Sequence, residues 1–396
     1  MTPNIWWLIV FAVLVGHFGF ALAVYNRANG FGFPRKTIKL FVRLCFVLTF
    51  VFPSAVAYFF PELIIDLWKG RPNAVPVPFA LNLYAWLCLL MWFLLGVPWL
   101  WWRPIFGREW IRAPRDVEIV DVQKELSRSL SLTTKCKYES RLPLNQLFEL
   151  SIEEIELPVR GLPAELDGYR IAHLSDIHLT GHIHGDFTKY AVERATQWNP
   201  DFMALTGDII DSQHCVDWLG DIFSSASAKD GCHFVLGNHD LRIKHPQETR
   251  DAMTKAGWID LGGRGLACQL RGVSTLLIGN EHPWFPRPEI SPDGDEPFRF
   301  LLSHSPDQLS WARLHGVDLM LAGHTHGGQG RLPVLGPILS PSFHGSRYAS
   351  GDFYRAPTTM HVTRGLSGTH LIRIYCRPEL SLLTLRSALV HADAHT

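Results

Sequence analysis

The sequence predicts an α/β domain with mixed β-sheets that follows three transmembrane helices. Beyond residue 151, short β-rich runs alternate with helix-like stretches, and the carboxyl end is rich in strands. Before residue 103, three apolar segments each approach the ~20 residues that a helix needs to cross a bilayer. We therefore expect a membrane domain over 1–103, a connector over 104–150, an α/β domain over 151–386 and a disordered tail over 387–396.

The membrane domain is predicted from the concentration of apolar residues near the amino terminus. Hydrophobic residues make up 47% of the 396-residue chain, which is high for a wholly soluble protein. The expected spans cover 5–25, 44–60 and 79–102, and the second is short and contains Pro53. His17, inside the first span, is open to two interpretations: a proton relay, or a neutral histidine packed on a neighbouring helix.

Basic residues in the short loops predict the orientation of the spans. They are frequent after the first and third spans, whereas the middle loop has only Lys69 and Arg71. We therefore expect a multi-pass protein of the inner membrane, with its amino terminus outside and all residues beyond Trp102 in the cytoplasm. Seven scattered cysteines without a C-x-x-C pair agree with a reducing compartment and argue against a disulfide framework. With a net charge of zero, the sequence gives no indication of a nucleic-acid partner.

Five apolar runs in the α/β domain each end in polar side chains that can bind metals. In chain order, these are Asp176 and His178; Asp208 and Asp211; Asn238, His239 and Asp240; His304; and His324 and His326. A lone His-x-His occurs in many surface loops, but five such strand ends indicate a shared site, because ligands of α/β sheets bind beyond the carboxyl ends of strands. The mixture of carboxylate, amide and imidazole suits manganese, iron or zinc better than copper.

These blocks, read as D-x-H, G-D-x-x-D, G-N-H-D, H and G-H-x-H in that order, resemble the calcineurin-like metallophosphoesterases over residues 150–386. The resemblance implies a four-layer sandwich of two mixed sheets flanked by helices. The run 323–329, followed by Arg331-Leu332-Pro333, is similar to a membrane-anchored branch of the family. That branch includes transmembrane proteins with a metallophosphoesterase domain and hydrolases of UDP-2,3-diacylglucosamine in lipid A synthesis. Ser367 departs from the pattern, where a glycine is usual.

The resemblance also implies a role for each residue of the blocks. Two divalent ions are expected, with manganese first and iron, zinc or a mixed pair as alternatives. One ion would be held by Asp176, His178 and His326, the other by Asn238, His304 and His324, and both by Asp208. His239 would stabilise charge on the phosphoryl group or protonate the leaving oxygen, and Asp211 would orient it. For Asp240, capping, a salt bridge and catalysis all stay open.

Substrate contacts are harder to predict from the sequence. Arg331 is a candidate to hold a phosphate, although basic surface residues are common. Arg347, Arg355 and Arg364 raise the same two alternatives. Trp284 and Phe285, with the proline-rich stretch that follows, could form a hydrophobic lip for acyl chains or an ordinary packed loop. The segment 182–186 is similar to the start of a metallo-β-lactamase motif, but it has Phe187 where that motif has its last histidine, which favours a loop.

Together these features predict a membrane-anchored, metal-dependent phosphoesterase. It would cleave a phosphodiester or pyrophosphate bond through a two-metal-activated hydroxide, with a lipid-linked substrate such as UDP-2,3-diacylglucosamine as the expected type. Two alternatives remain: a phosphodiesterase for soluble substrates, and a non-catalytic membrane scaffold with a structural metal site.

Overall fold

A computed structural model describes residues 5–33, 35–69, 76–102, 109–291 and 298–388 of the chain. The chain forms two compact units. The first comprises Met1–Arg108 together with Phe343–Arg347, and the second comprises Glu109–Ser342 and Tyr348–Thr396.

The first unit is helical throughout its described amino-terminal part. Its helices are α1 (Ile5–Gly30), α2 (Arg35–Phe59), α3 (Pro61–Trp68), α4 (Phe79–Met91) and α5 (Val97–Trp101), with a π-helical turn over Trp92–Gly96 between the last two. Three stretches are long and apolar enough to cross a membrane: Ile5–Gly30, Lys36–Phe59 and Phe79–Trp101. The second begins well before the expected residue 44, because Lys36, Lys39 and Arg43 favour helix and do not interrupt it.

His17 links three helices of this unit. Its Nε2 donates to the Thr49 carbonyl in α2 at 2.9 Å, and its Nδ1 lies 2.5 Å from the Tyr84 hydroxyl in α4. A neutral imidazole satisfies both contacts, with one nitrogen donating and the other accepting. The geometry therefore fits a packed histidine.

The second unit contains the strands and the remaining helices. The strands are β1 (Trp110–Ile111), β2 (Arg115–Asp121), β3 (Glu149–Arg160), β4 (Arg170–Leu174), β5 (Phe202–Thr206), β6 (Cys232–Val235), β7 (Ile259–Asp260), β8 (Gly265–Leu270), β9 (Val273–Asn280), β10 (Phe298–Ser303), β11 (Leu319–Ala322), β12 (Arg331–Leu332), β13 (Gly336–Pro337), β14 (Gly351–Arg355), β15 (Thr358–Val362) and β16 (Glu379–Ala388). The helices are α6 (Val122–Glu125), α7 (Thr134–Glu139), α8 (Asp186–Gln197), α9 (Leu219–Phe223), α10 (Pro246–Lys255) and α11 (Leu309–Leu314).

Two mixed sheets form the centre of the second unit. In the described residues, one sheet has the order β2-β3-β16-β4-β5-β6-β7 and the other has β1-β14-β15-β11-β10-β9-β8. Strands β4 to β7 of the first sheet run parallel, as do β9, β10, β11 and β15 of the second. The parallel strands bring their carboxyl ends to one edge of each sheet, where the predicted ligands follow them.

Side-chain alternation along the strands produces the layers. In β5, Phe202 and Ala204 belong to a core between the two sheets, whereas Met203 and Leu205 pack in the core that contains residues of α8 and α10. In the second sheet, residues of β10 and β11 divide in the same way between the central core and a core with α11. Because both faces of these strands are covered, they read as continuous apolar runs. This confirms the fold of two mixed sheets flanked by helices.

The amino-terminal boundary of the second unit differs from the expected connector over 104–150. Strand β2 pairs antiparallel with β3 from Arg115↔Ile155 to Asp121↔Glu149, so this stretch extends a sheet. Most β2 side chains are exposed at this sheet edge and four of its seven residues are charged, which explains why the stretch read as a solvated connector. Residues 103–108 lie outside the described part of the chain.

Two smaller expectations also differ from the structure. The β-rich runs of the carboxyl end include 370–375, which predicts a strand, but within that stretch only isolated bridges at Ile374 are formed. The fully buried Arg373 there directs its guanidinium to main-chain carbonyls, so the segment serves as a packed loop. At the carboxyl end, β16 continues to Ala388, and the rest of the expected tail lies outside the described residues.

Replacing Phe202 tests the core between the sheets. Its ring is fully buried, stacks on His233 with 4.4 Å between ring centroids, and lies 5.1 Å from the ring of Phe300. Phe202→Ala leaves a cavity, so we expect the free energy of unfolding to fall by about 3–5 kcal/mol. Pulse proteolysis in urea measures the change. Tyr138→Ala, at a residue that is 77% exposed, is the control, and an equal loss in both variants would contradict this core assignment.

Candidate metal centre

The predicted ligands all lie at carboxyl ends of parallel strands. Asp176 and His178 follow β4, Asp208 follows β5, and Asn238 follows β6 in the first sheet; His304 follows β10, and His324 and His326 follow β11 in the second. The structure brings their side chains together in two groups that share one carboxylate. Asp176, His178, Asp208 and His326 form one group, and Asp208, His304 and His324 form the other, with candidate ligand atoms within 4.8 Å of one another in each.

Unusual backbone geometry aims these side chains. Five of them have a positive φ: Asp176 (52°), His178 (48°), Asp208 (54°), His324 (70°) and His326 (49°). This region is disfavoured for residues other than glycine and is adopted where surrounding contacts enforce it. The enforcing contacts include Asp176 N–H to Gly207 O at 3.0 Å and His178 N–H to Asp208 O at 2.9 Å.

Glycines leave the room that these side chains occupy. A Cβ at Gly237 would meet the Asp208 carboxylate and the His304 ring, and one at Gly323 would meet Asp176. Any larger residue would therefore displace a candidate ligand. This requirement accounts for the glycines of the G-N-H and G-H-x-H blocks.

Electron-pair acceptors converge in the first group. The Nδ1 atoms of His178 and His326 donate to Asp211 Oδ2 (2.6 Å) and to the Ser367 carbonyl (3.1 Å). If both rings were neutral, their Nε2 atoms would both present lone pairs, yet these atoms lie 3.2 Å apart. The Nε2 of His326 is also 3.4 Å from Asp176 Oδ1. Acceptors at this spacing need a shared proton or a cation between them.

In the second group, too, hydrogen-bond acceptors lie close together. His304 donates its Nδ1 proton to the Thr206 carbonyl at 2.7 Å, and its Nε2 faces Asn238 Oδ1 at 3.1 Å and Asp208 Oδ1 at 3.3 Å. The Nδ1 of His324 lies 3.1 Å from the same Nε2. Two buried atoms here, Asp208 Oδ2 and His324 Nε2, have no hydrogen-bond partner in the described structure. The residues present therefore fit divalent cations.

The pKa values of the histidines in the two groups are shifted by burial and by their close neighbours. Burial lowers the pKa of His178 and His304, but the carboxylates of Asp211 and Asp208 outweigh it and raise them to about 10 and about 9. Burial, joined by the neighbouring histidines, lowers the pKa of His324 and His326 to about 3. Without metal, protons on His178 and His304 thus offset the buried carboxylates.

His239 and Asp211 form a second polar chain beside the first group. The Nδ1 of His239 donates to Asp211 Oδ1 at 2.6 Å, while the other oxygen of Asp211 accepts from His178. Burial lowers the pKa of His239 to about 4, despite the opposing effect of Asp208. One carboxylate thus orients both a candidate ligand and the predicted catalytic histidine.

Arg242 completes this chain and was missed by the sequence analysis. Its Nη1 donates to Asp211 Oδ1 at 2.8 Å, and its Nη2 donates to His239 Nε2. This places a cation beside His239, three residues after it in the sequence. No spacing pattern marks a single arginine of this kind, so only the fold identifies it.

The Asp240 carboxylate accepts hydrogen bonds from main-chain N–H groups. Its Oδ1 accepts from the N–H groups of Ile209 and Ile210 at 3.0 and 2.9 Å, and its Oδ2 accepts from Gly237 N–H at 2.7 Å. Burial and the nearby Asp208 raise its pKa to about 7. The side chain therefore ties the loop after β5 to the loop after β6, in keeping with a capping role.

Two residues that were predicted to contact the substrate, Arg331 and Trp284, have different surroundings in the structure. Arg331 donates to the Gly327 carbonyl at 2.8 Å and to Ser350, so its assignment to a phosphate stays a prediction. Trp284 packs against the ring of His324 at 4.9 Å between centroids and against His304 at 5.4 Å, which brings it to the site. The stretch 292–297 of the expected hydrophobic lip lies outside the described residues.

The other arginines considered as substrate contacts have protein partners. Arg355 pairs with Glu109 at 3.2 Å, and Arg347 lies over the Trp102 ring. Arg364 pairs with the buried Glu153 and Glu379.

Comparisons with known proteins agree on one family. Residues 169–328 match the family described as "Calcineurin-like phosphoesterase". The chain is 31% identical over 240 residues to "Uncharacterized metallophosphoesterase YkuE" of Bacillus subtilis (strain 168), covering 57% of this chain and 82% of that protein.

Two further relatives have more descriptive names. The chain is 27% identical to "Transmembrane protein with metallophosphoesterase domain" of Danio rerio, over 60% of this chain and 57% of that protein. It is 24% identical to "UDP-2,3-diacylglucosamine pyrophosphatase LpxG" of Chlamydia muridarum (strain MoPn / Nigg), over 56% of this chain and 84% of that protein.

Proton release on metal binding tests the electrostatics of the centre. A metal ion must displace the protons on His178 and His304, whose pKa values are about 10 and about 9, so affinity for Mn²⁺ rises between about pH 6 and pH 8. Calorimetry in buffers of different ionisation enthalpy should detect about two protons released at saturation. Asp211→Asn should reduce the number, since it removes a carboxylate that raises the pKa of His178. Binding with no proton release would contradict the protonation described.

Proposed function

The chain belongs to the calcineurin-like phosphoesterase family, and from this premise we propose that it hydrolyses a phosphodiester or pyrophosphate bond at the Asp208 centre. Members of this family are hydrolases of phosphoester bonds that use divalent metals, and the chain is such a hydrolase. The observation that carries the proposal is the convergence of buried acceptors on both sides of Asp208, where Asp208 Oδ2 and His324 Nε2 have no hydrogen-bond partner among the described residues.

The proposed ligand sets follow the two groups of side chains. Asp176, His178 and His326 would hold one divalent ion; Asn238, His304 and His324 would hold the other; and Asp208 would bind both. When bound, such a pair acts as a Lewis acid and supplies a nucleophilic hydroxide at neutral pH. The oxygen and nitrogen donors favour manganese, with iron and zinc as alternatives.

His239 and Arg242 would complete the reaction site. The imidazole is held at Nδ1 by Asp211, and its Nε2, which accepts from Arg242 Nη2, would exchange that contact for the substrate. In the protonated form, Nε2 would donate a proton to the leaving oxygen; burial lowers the pKa of the ring to about 4, so the negative charge of a bound phosphoryl group would have to raise that pKa first. Arg242 would stabilise negative charge on the phosphoryl oxygens from the adjacent position, as a fixed cation.

A lipid-linked substrate is the proposed class. The three apolar helices suggest a membrane anchor, which would hold the site near lipids and raise the effective concentration of a membrane-borne substrate. The relative named as a UDP-2,3-diacylglucosamine pyrophosphatase supports a glycolipid pyrophosphate of that type. A panel of UDP-diacylglucosamine, other nucleotide-linked lipids and soluble diesters, assayed with Mn²⁺, would separate this class from a soluble one.

Substitutions at the centre test the catalytic proposal. Asp208→Ala should lose Mn²⁺ binding and hydrolysis of bis-p-nitrophenyl phosphate together, because it removes the shared carboxylate. His239→Ala should keep the metal and lose about 10²–10⁴-fold in kcat, as expected for a lost proton donor. His245→Ala, at an exposed histidine, is the matched control. Parent-like turnover by both site variants would refute the catalytic assignment, and parent protein that binds Mn²⁺ without turnover would favour the scaffold alternative.

Topology has its own test. We propose that the second unit faces the cytoplasm of a cell with an inner membrane, since basic residues are concentrated in the loops on that side. An alkaline phosphatase reporter fused after the carboxyl terminus should therefore be inactive, and a green fluorescent reporter there should be bright. The opposite pair of results would place the domain outside.

A further inference from the structure

An uninterrupted apolar segment begins six residues after the last candidate ligand, His326. Residues 332–339, which we call the apolar hairpin, read Leu-Pro-Val-Leu-Gly-Pro-Ile-Leu. Strands β12 and β13 pair antiparallel within it, with Leu332 opposite Gly336, so Pro333, Val334 and Leu335 form the tip.

Several side chains of the apolar hairpin are exposed. Val334 is 103% exposed, Leu339 50%, Leu332 48% and Leu335 45%. Val334 also has a φ of 65°, a conformation that is disfavoured for a β-branched residue. A contiguous apolar surface of this kind is unusual on a soluble protein and marks a contact with a protein or a membrane.

The chain around the hairpin indicates which contact it makes. Phe343–Arg347, which begins four residues after Leu339, belongs to the first unit with the membrane helices. Within that unit, the ring of Phe343 lies 5.8 Å from that of Phe31, and Trp99 Nε1 donates to Ser346 Oγ at 3.1 Å. The connection from Leu339 to Phe343 is four residues long and spans at most about 14 Å.

The distribution of charged residues around the hairpin favours a membrane as its contact. No charged residue occurs from 332 to 343, whereas Arg331 precedes this stretch and Arg347 follows it. The Arg347 guanidinium lies 4.0 Å from the centre of the Trp102 ring. Tryptophan and arginine are common in the headgroup layer of a membrane, because the indole ring is amphipathic and the guanidinium binds lipid phosphates.

From these observations we propose that the apolar hairpin inserts its tip into the bilayer that the chain's own helices span. The insertion would bury Val334 and Leu335 at the boundary between headgroups and acyl chains, as amphipathic anchors do. This inference rests on the membrane helices and the exposed hairpin, and it holds whether or not the metal centre is catalytic.

Insertion would have a direct consequence for the metal centre. Arg331, at the base of the hairpin, donates to the Gly327 carbonyl at 2.8 Å, and a Cβ at Gly328 would meet Pro337. The turn that carries His326 is therefore packed on the hairpin base. A membrane-inserted tip would hold this turn, and with it the candidate metal site, close to lipid phosphates.

Depth-dependent quenching tests the insertion on the full chain. A fluorescent amino acid replaces Val334 by codon suppression, and the protein is reconstituted in phosphatidylcholine vesicles with or without brominated acyl chains. We expect quenching at 334 comparable to that of the same label at Phe11, an exposed residue of α1, and much stronger than at Leu314 at the end of α11. A label at 334 that is quenched no more than the one at Leu314 would overturn the proposal.

A charge substitution gives a second, independent readout. In Val334→Asp with Leu335→Asp, the kcat/KM for a vesicle-borne phosphodiester relative to that for a soluble diester should fall at least about tenfold, because carboxylates resist insertion. Leu314→Asp should leave this ratio unchanged. An unchanged ratio in the hairpin variant would contradict insertion, whereas absence of turnover by the parent on both substrates would contradict the proposed function instead.

Discussion

The Asp208 carboxylate is the group on which the rest of the second unit depends. It follows a strand at the centre of one sheet, and its oxygens face imidazoles carried by both sheets: His178 Nε2 at 3.4 Å and His304 Nε2 at 3.3 Å. Bringing so many acceptors together in a buried space is unfavourable unless positive charge lies among them. Protons on two histidines meet this need in the metal-free protein, and divalent ions would meet it in the active one.

The surrounding structure resists the repulsion that such a cluster creates. Left-handed backbone at five ligands is held by hydrogen bonds between neighbouring strand ends, and Asp240 ties two of those loops together. The fully buried Arg373 donates to the Ser367 carbonyl, which also accepts from His326. A rigid second layer of this kind keeps ligands in place before the metal binds, which favours a defined coordination geometry.

Much of the fold and the site could be predicted, because the pattern of apolar residues marks the strands and the polar residues at strand ends mark the site. Strands buried on two faces read as apolar runs, and polar residues at their ends mark where parallel strands meet. Features without such a signal were missed. Strand β2 is an exposed edge rich in charged residues, and Arg242 is a single cation whose role depends on where its loop folds. Trp284 was expected in a lip for acyl chains or in an ordinary packed loop, because nothing in its sequence neighbourhood reveals its contact with two histidine rings.

Anomalous diffraction from crystals of the Mn²⁺-loaded protein would show whether two ions share Asp208. We expect two peaks about 3.5–4 Å apart, the spacing of two-metal hydrolases, with Asp208 between them and the two histidine groups on opposite sides. A single peak, or a pair located away from Asp208, would contradict this expectation.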